Sequence, residues 1–141
     1  PMMQHFLDYD FKIAPVTLTT QTHRKALQLA REIHQANSKL KKEILVIASS
    51  DSSHGVTPKI GREKDQLVLD KIEELDAAGV EQVIREHHIS VCGFGPIMTL
   101  MEYSRLISDK PQTRILKKGC SGDILPSSEV VDYVSVLFYE T

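Results

Sequence analysis

The sequence predicts an α/β layered fold, and two observations carry that prediction. Ile44 to Ala48 (ILVIA) is a short all-apolar run between polar segments. Such a run fits a strand buried on both faces, as in a parallel sheet. Segments with helical spacing flank it and recur down the chain. Strands alternating with helices build layered α/β sheets.

Each element follows from local chemistry. Phe11 to Leu18 (FKIAPVTL) is partly alternating and rich in Phe, Ile and Val, so it reads as a strand, with Pro15 pointing to an edge. Thr19 to Thr22 offers an N-cap, and Ala26, Leu27, Leu29, Ala30 and Ile33 then recur at helical spacing up to about Asn37. The basic run Lys39 to Lys42 reads as a solvated helix end. After the apolar strand, residues 51–61 contain Gly55, Pro58 and Gly61 and read as a loop. Arg62 to Leu75 is amphipathic, with Leu67, Leu69, Ile72 and Leu75 toward the core. Val80 to His87 reads as a shorter helix, and Ile89 to Cys92 as a brief extended piece. Gly93 to Gly95 breaks the chain, and Pro96 suits the first turn of a helix running to about Ser108. Arg114 to Lys117 and Val130 to Tyr139 read as the last strands, the second long enough to lie deep in a sheet.

Length and composition narrow the function. The chain has 141 residues, about one domain at roughly 100–200 residues each. Apolar residues make up 41% and charged residues 26%, which excludes a disordered or low-complexity chain. Lys and Arg total 17 against 19 Asp and Glu, a net charge of -2. The basic excess of a nucleic-acid binder is missing, so no nucleic-acid partner is expected. No stretch approaches the ~18 consecutive apolar residues of a membrane span, and no signal peptide opens the sequence. No membrane partner is expected. Only Cys92 and Cys120 are present, which argues against a disulfide scaffold and for a reducing, cytoplasmic setting.

Two places can carry chemistry. The first is Ser49-Ser50-Asp51-Ser52-Ser53-His54-Gly55, directly after the apolar strand. Ligands bind at the carboxyl ends of strands in open α/β sheets. Histidine as a residue type titrates near neutral pH, so a general base or a metal ligand is the role His54 suits, and Asp51 could orient an imidazole. The same spacing is met by an Asx-turn at Asp51 and a surface loop at His54. The second place is Val91-Cys92-Gly93-Phe94-Gly95-Pro96. A thiolate beside a helix N-terminus is favoured by the helix dipole, and the thiolate attacks carbon or binds metal. A small buried hydrophobe beside turn glycines would look the same. Cys120 sits in a turn and reads as a bystander. His87 and His88 are adjacent and face different ways. Walker, GxGxxG, CxxC and HExxH motifs do not occur.

Several segments, taken in order, resemble one family: IASSDSSHG (47–55), KDQLVLDKIEELDAAG (64–79), VCGFGPI (91–97), GCSGDI (119–124) and VVDYVSVLF (130–138). The chain resembles the carboxyl-terminal half of a Memo-family protein, whose microbial members are called AmmeMemoRadiSam system protein B. That resemblance implies a three-layer α/β/α fold like that of the class III extradiol dioxygenases, here lacking the amino-terminal half. Residues 1–141 would form a single unit, the carboxyl-terminal part of a Memo-like domain. It also implies that Cys92 helps ligate a pocket metal, iron or copper. His54 would act as acid or base beside the metal, and Asp51 would be the pocket aspartate.

Two departures stand out. The family's two further ligand histidines belong to an amino-terminal half, and nothing in this sequence supplies them. Leu125-Pro126 stands where the family pattern has Gly-Asp. One thiolate and one imidazole are too few for a tight metal site, and half a parallel sheet leaves an open edge. Association with a complementary amino-terminal half, or with another copy of the chain, is therefore expected. Two functional readings follow from the resemblance. One is a metal-pocket protein with a redox or dioxygenase-like role on a small molecule. The other is a non-catalytic adaptor whose pocket binds a peptide. A degenerate fragment without activity is a third.

Overall fold

The protein is described from a computed structural model over residues 2–140. A short helix α1 (Met2–Phe6) opens the described chain. Helix α2 spans His23–Leu40. It begins where the Thr22 hydroxyl accepts the Lys25 N–H at 3.3 Å, the N-cap role that threonine favours. It runs past Asn37 and stops at Lys41, whose backbone is left-handed. Residues 38–40 are exposed, so no apolar periodicity marks the extra turn.

Helix α3 covers Pro58–Glu73 and starts earlier than the apolar spacing implied. Thr57 caps it and Pro58 occupies the first position, where a missing N–H is harmless. Val68, Leu69 and Ile72 are buried, while Leu67 faces outward at 36% exposure. Helix α4 (Ala77–Glu86) starts ahead of Val80 because the Asp76 carboxylate accepts the Gly79 N–H at 2.9 Å. Helix α5 (Phe94–Ile107) is capped by Gly93. The Gly93–Gly95 stretch therefore opens this helix, and Pro96 falls in its first turn.

Three strands form one sheet: β1 (His54–Val56), β2 (Pro111–Cys120) and β3 (Val130–Glu140). The order is β1-β3-β2, with β3 in the centre. Both pairings are antiparallel, His54 opposite Val131 on one side and Cys120 opposite Asp132 on the other. A 3-10 turn, Ser121–Asp123, leaves β2. The parallel arrangement expected from the apolar run is thus corrected. Two expected strands are also absent among the described residues: 11–18 and 44–48 carry no ladder, and neither does the piece at 89–92. The first two leave Ile13 at 74%, Leu45 at 76% and Ile47 at 56% exposure. A strand buried on both faces needs neighbouring strands and covering helices. No strand of the described sheet lies beside either segment.

The core lies between the helices and one face of the sheet. Met98 and Met101 of α5 are fully buried. They belong to a cluster with Ala26 of α2, Leu69 of α3 and Val80 of α4, against which Ile115, Val134, Val136 and Phe138 of the sheet pack. Ala26 and Ala30, also buried, let α2 lie close on α5. On the opposite face Tyr133 and Leu137 stay about half exposed. The fold is mixed α/β, and the described helices cover one face of its sheet. Among the described residues no helix is long and apolar enough to cross a membrane.

Met98→Ala removes a fully buried side chain from the centre of this cluster. The expected loss is about 2–5 kcal/mol, read from the urea unfolding midpoint. An unchanged midpoint would place the core elsewhere.

Candidate functional site

Cys92 closes the segment that leads into α5, and its side chain is built into a turn rather than left loose. The Asp51 N–H donates to Cys92 Sγ at 3.2 Å. Ser50 Oγ lies 3.9 Å from the same sulfur, accepts the Gly93 N–H at 2.8 Å and donates to the Asp51 carbonyl at 2.8 Å. This crossing of two distant stretches depends on residue 93. A Cβ there would come within 2.5 Å of Ser50 Cβ and 2.7 Å of the Ser49 carbonyl oxygen, closer than real Cβ contacts allow. Gln21 clamps the same turn from a third direction. Its Nε2 donates to the Cys92 carbonyl at 2.9 Å, and its Oε1 accepts the Gly95 N–H at 2.7 Å.

His54 lies further along the same crossing. Its backbone N–H donates to Ser90 Oγ at 2.9 Å, and Ser90 Oγ donates back to the His54 carbonyl at 2.8 Å. The ring Nδ1 sits 3.2 Å from the Ser52 carbonyl oxygen. With the proton on Nδ1, the ring donates there and Nε2 is left as the basic nitrogen. The structure thus lays the loop 50–54 alongside 90–93. Asp51, His54 and Cys92 are all exposed on it. Asp51 reaches Cys92 through its backbone, and the ring hydrogen bond of His54 goes to Ser52.

Below the loop is a cavity of about 90 Å³. Ala48, Ser50, Ser52, Asp65, Val91 and Phe138 are among its walls. Ser50, Ser90 and Gln21 organise the site, yet nothing in the sequence marked them. Ser50 and Ser90 are ordinary loop residues by composition. Gln21 acts 71 residues away from Cys92, beyond any local pattern.

The elements so far define an α/β protein with a thiol and an imidazole on adjacent loops at one end of a small sheet. The family described as Memo-like protein matches residues 1–137. A MEMO1 family protein of Methanobrevibacter smithii is 42% identical over 139 residues, covering 98% of this chain and 49% of that protein. Another, from Desulfurococcus amylolyticus, is 39% identical over 140 residues, with 99% of this chain and 49% of that protein covered. A third, from Sulfolobus acidocaldarius, is 38% identical over 139 residues, with 98% and 48% covered. The chain belongs to the Memo family, and it spans about half the length of the curated relatives it matches.

Gly93→Ala is expected to push the 50–54 loop off the turn, at a cost of about 1–3 kcal/mol for overpacking. Urea unfolding measures the stability, and hydrogen exchange at the Asp51 and Gly93 amides reports the loop. Unchanged exchange at both would mean that the loop does not rest on residue 93.

Proposed function

We propose that this chain supplies one wall of a Memo-type metal pocket, with Cys92 as a sulfur ligand to iron or copper. The observation that carries this reading is the exposed Cys92 sulfur, fixed by the Asp51 amide beside the loop that bears His54. Sulfur in this setting suits soft or borderline metals. Such a metal would supply redox or oxygen-linked chemistry, acting on a small molecule.

The residues of this chain alone do not fit a metal. Two donors are fewer than the three protein ligands of a typical catalytic zinc site. Among the described residues no group of three His, Cys, Asp or Glu could hold an ion. The remaining ligands then come from another polypeptide segment. Supporting this, the matched relatives are about twice as long. Ile13, Val16, Leu45 and Ile47 also lie exposed on segments that carry no ladder, open to added strands. The proposed partner is a complementary amino-terminal half, or failing that a second copy of the chain. The residues present have defined tasks. The Asp51 amide orients Sγ, the Ser52 carbonyl fixes the imidazole, and His54 Nε2 takes or gives a proton. Asp51 is the pocket aspartate of this reading.

The test adds the complementary half to this chain, follows assembly by sedimentation, and titrates iron(II) and copper(I) calorimetrically. Assembly and metal binding are expected, with Cys92→Ser weakening affinity at least roughly tenfold, no less than the loss of an outer-shell partner. Unchanged affinity in Cys92→Ser overturns the ligand assignment. A stable, well-folded monomer at micromolar concentration that ignores the other half overturns the shared pocket. An assembly that takes up no metal, and binds peptide even as His54→Ala, would identify an adaptor instead.

A further inference from the structure

Beneath the loop lies a second group of polar side chains with no part in the metal reading. Asp65 on α3 and Asp132 on β3 are 6% and 4% exposed, and Ser53 is fully buried. Asp65 Oδ1 accepts the Ser53 N–H at 2.9 Å. The Asp132 N–H donates to the Ser53 carbonyl at 2.9 Å, and the Ser52 N–H donates to the Asp132 carbonyl at 3.0 Å. Both aspartates thus close on Ser53, and Gly61, one helical turn before Asp65 on α3, lies against the Asp132 carboxylate. Both Asp132 carboxylate oxygens and Ser53 Oγ are buried without a hydrogen-bond partner. Gly61 backs against Asp132, where a Cβ would collide with Oδ2.

A buried carboxylate with two empty acceptors is costly, and two facing carboxylates add repulsion. Neighbouring cations do not relieve it. On α3, the Lys64 ammonium is spent on the His88 carbonyl, and Lys59 faces Glu63 in solvent. From β2, Lys118 reaches Gln66. Across the sheet from Asp132 stands Cys120, whose sulfur accepts the Gly122 N–H, and Asp123 accepts the Cys120 N–H. On β1, the His54 ring is on the Ser52 carbonyl. No salt bridge among the described residues involves Asp65 or Asp132. A bound divalent cation would want at least six oxygens. The unpartnered oxygens here are three, the two of Asp132 and Ser53 Oγ, with Gly61 walling one side. A proton between the carboxyls needs no further ligand.

We propose that Asp65 and Asp132 share one proton at neutral pH and act as positioning residues for the loop that carries Asp51 and His54. With the proton in place, the pair joins α3 to β3 and holds Ser52 and Ser53 by their backbones. Losing it sets two buried negative charges against each other, and the loop loosens. Asp65 fits the proton-bearing role. Burial raises its pKa above the ordinary 3.8, the hydrogen bond from the Ser53 N–H opposes that, and the Asp132 charge raises it further.

The sign of the pH dependence follows. Between 3.8 and the raised native value, the folded protein holds a proton that the unfolded chain has released. This contribution is therefore fully present below 3.8 and is lost as pH rises through the native value. Asp65→Asn copies the protonated state. Its amide oxygen can accept from Ser53 and its NH₂ can donate to Asp132.

The experiment compares wild type with Asp65→Asn and Asp132→Asn from pH 4 to pH 8, by thermal unfolding, infrared spectroscopy and hydrogen exchange. The expected result is a Tm advantage of Asp65→Asn that grows with pH, and a carbonyl band of a protonated acid at neutral pH in wild type only. Exchange at Ser53 and His54 should quicken at high pH in wild type, after correction for the intrinsic rate, and less so in Asp65→Asn. A pH-independent Tm difference together with no protonated-acid band overturns the proposal. So does calcium or magnesium raising the Tm of wild type and not of Asp132→Asn, which would make the pair a cation site. None of these readouts involves Cys92 or its iron or copper, so failure here leaves the pocket reading standing, and the reverse holds.

Discussion

The structure around the candidate site depends on one close approach, that of the 50–54 loop to the 90–93 turn. Two stretches some forty residues apart can touch because residue 93 has no side chain and Ser50 Oγ fills the gap as both acceptor and donor. Buried polar groups must be paired, and here the pairing also sets the geometry. The Asp51 amide reaches Cys92 Sγ directly beside the bond between Ser50 and Gly93. The Ser90 hydroxyl repeats the arrangement two residues earlier, bonding both the N–H and the carbonyl of His54. The side chains that could do chemistry are placed by backbone contacts, which leaves the side chains themselves exposed and available.

Packing secures this crossing from below. Helix α5 starts at the turn and sends Met98 and Met101 into the centre of the core. Gln21 ties the same turn to the chain entering α2, and α2 lies close on α5 through Ala26 and Ala30. On the other side, the loop runs into β1, which pairs with β3. The sheet and the helices thus grip the two halves of the crossing separately. The Asp65–Asp132 pair lies where those grips meet, and polar groups so deep in a core have large effects whichever way they are satisfied.

The sequence showed the helices well because each carries its own signal. Ala26, Ala30, Leu69 and Ile72 recur at the helical period, and Pro96 and Thr22 mark starts. Strand pairing was less visible. Val130 to Tyr139 reads as a strand from its apolar content, and it is one, but nothing local says that its partners run antiparallel. The run ILVIA has the composition of a buried central strand, and composition cannot report that no strand of the described sheet lies beside it. Strand β1 has three residues, too few for any period. Cys92, His54 and Asp51 could be singled out because their side chains are chemically distinctive. Gln21, Ser50 and Ser90 could not, since their roles are long-range hydrogen bonds. Asp65 lies in a charged helical stretch, KDQ, that suggests solvent, and only the fold turns it inward.

The most direct measurement of the central contact is a cross-link. Ser50→Cys places a second thiol where a hydroxyl now lies 3.9 Å from Cys92 Sγ. Mild oxidation of the folded chain, followed by peptide mapping, should give a bond between positions 50 and 92 that forms far more slowly in denaturant. A bond to Cys120 instead, or no preference between folded and unfolded chain, would contradict the close approach on which the site is built.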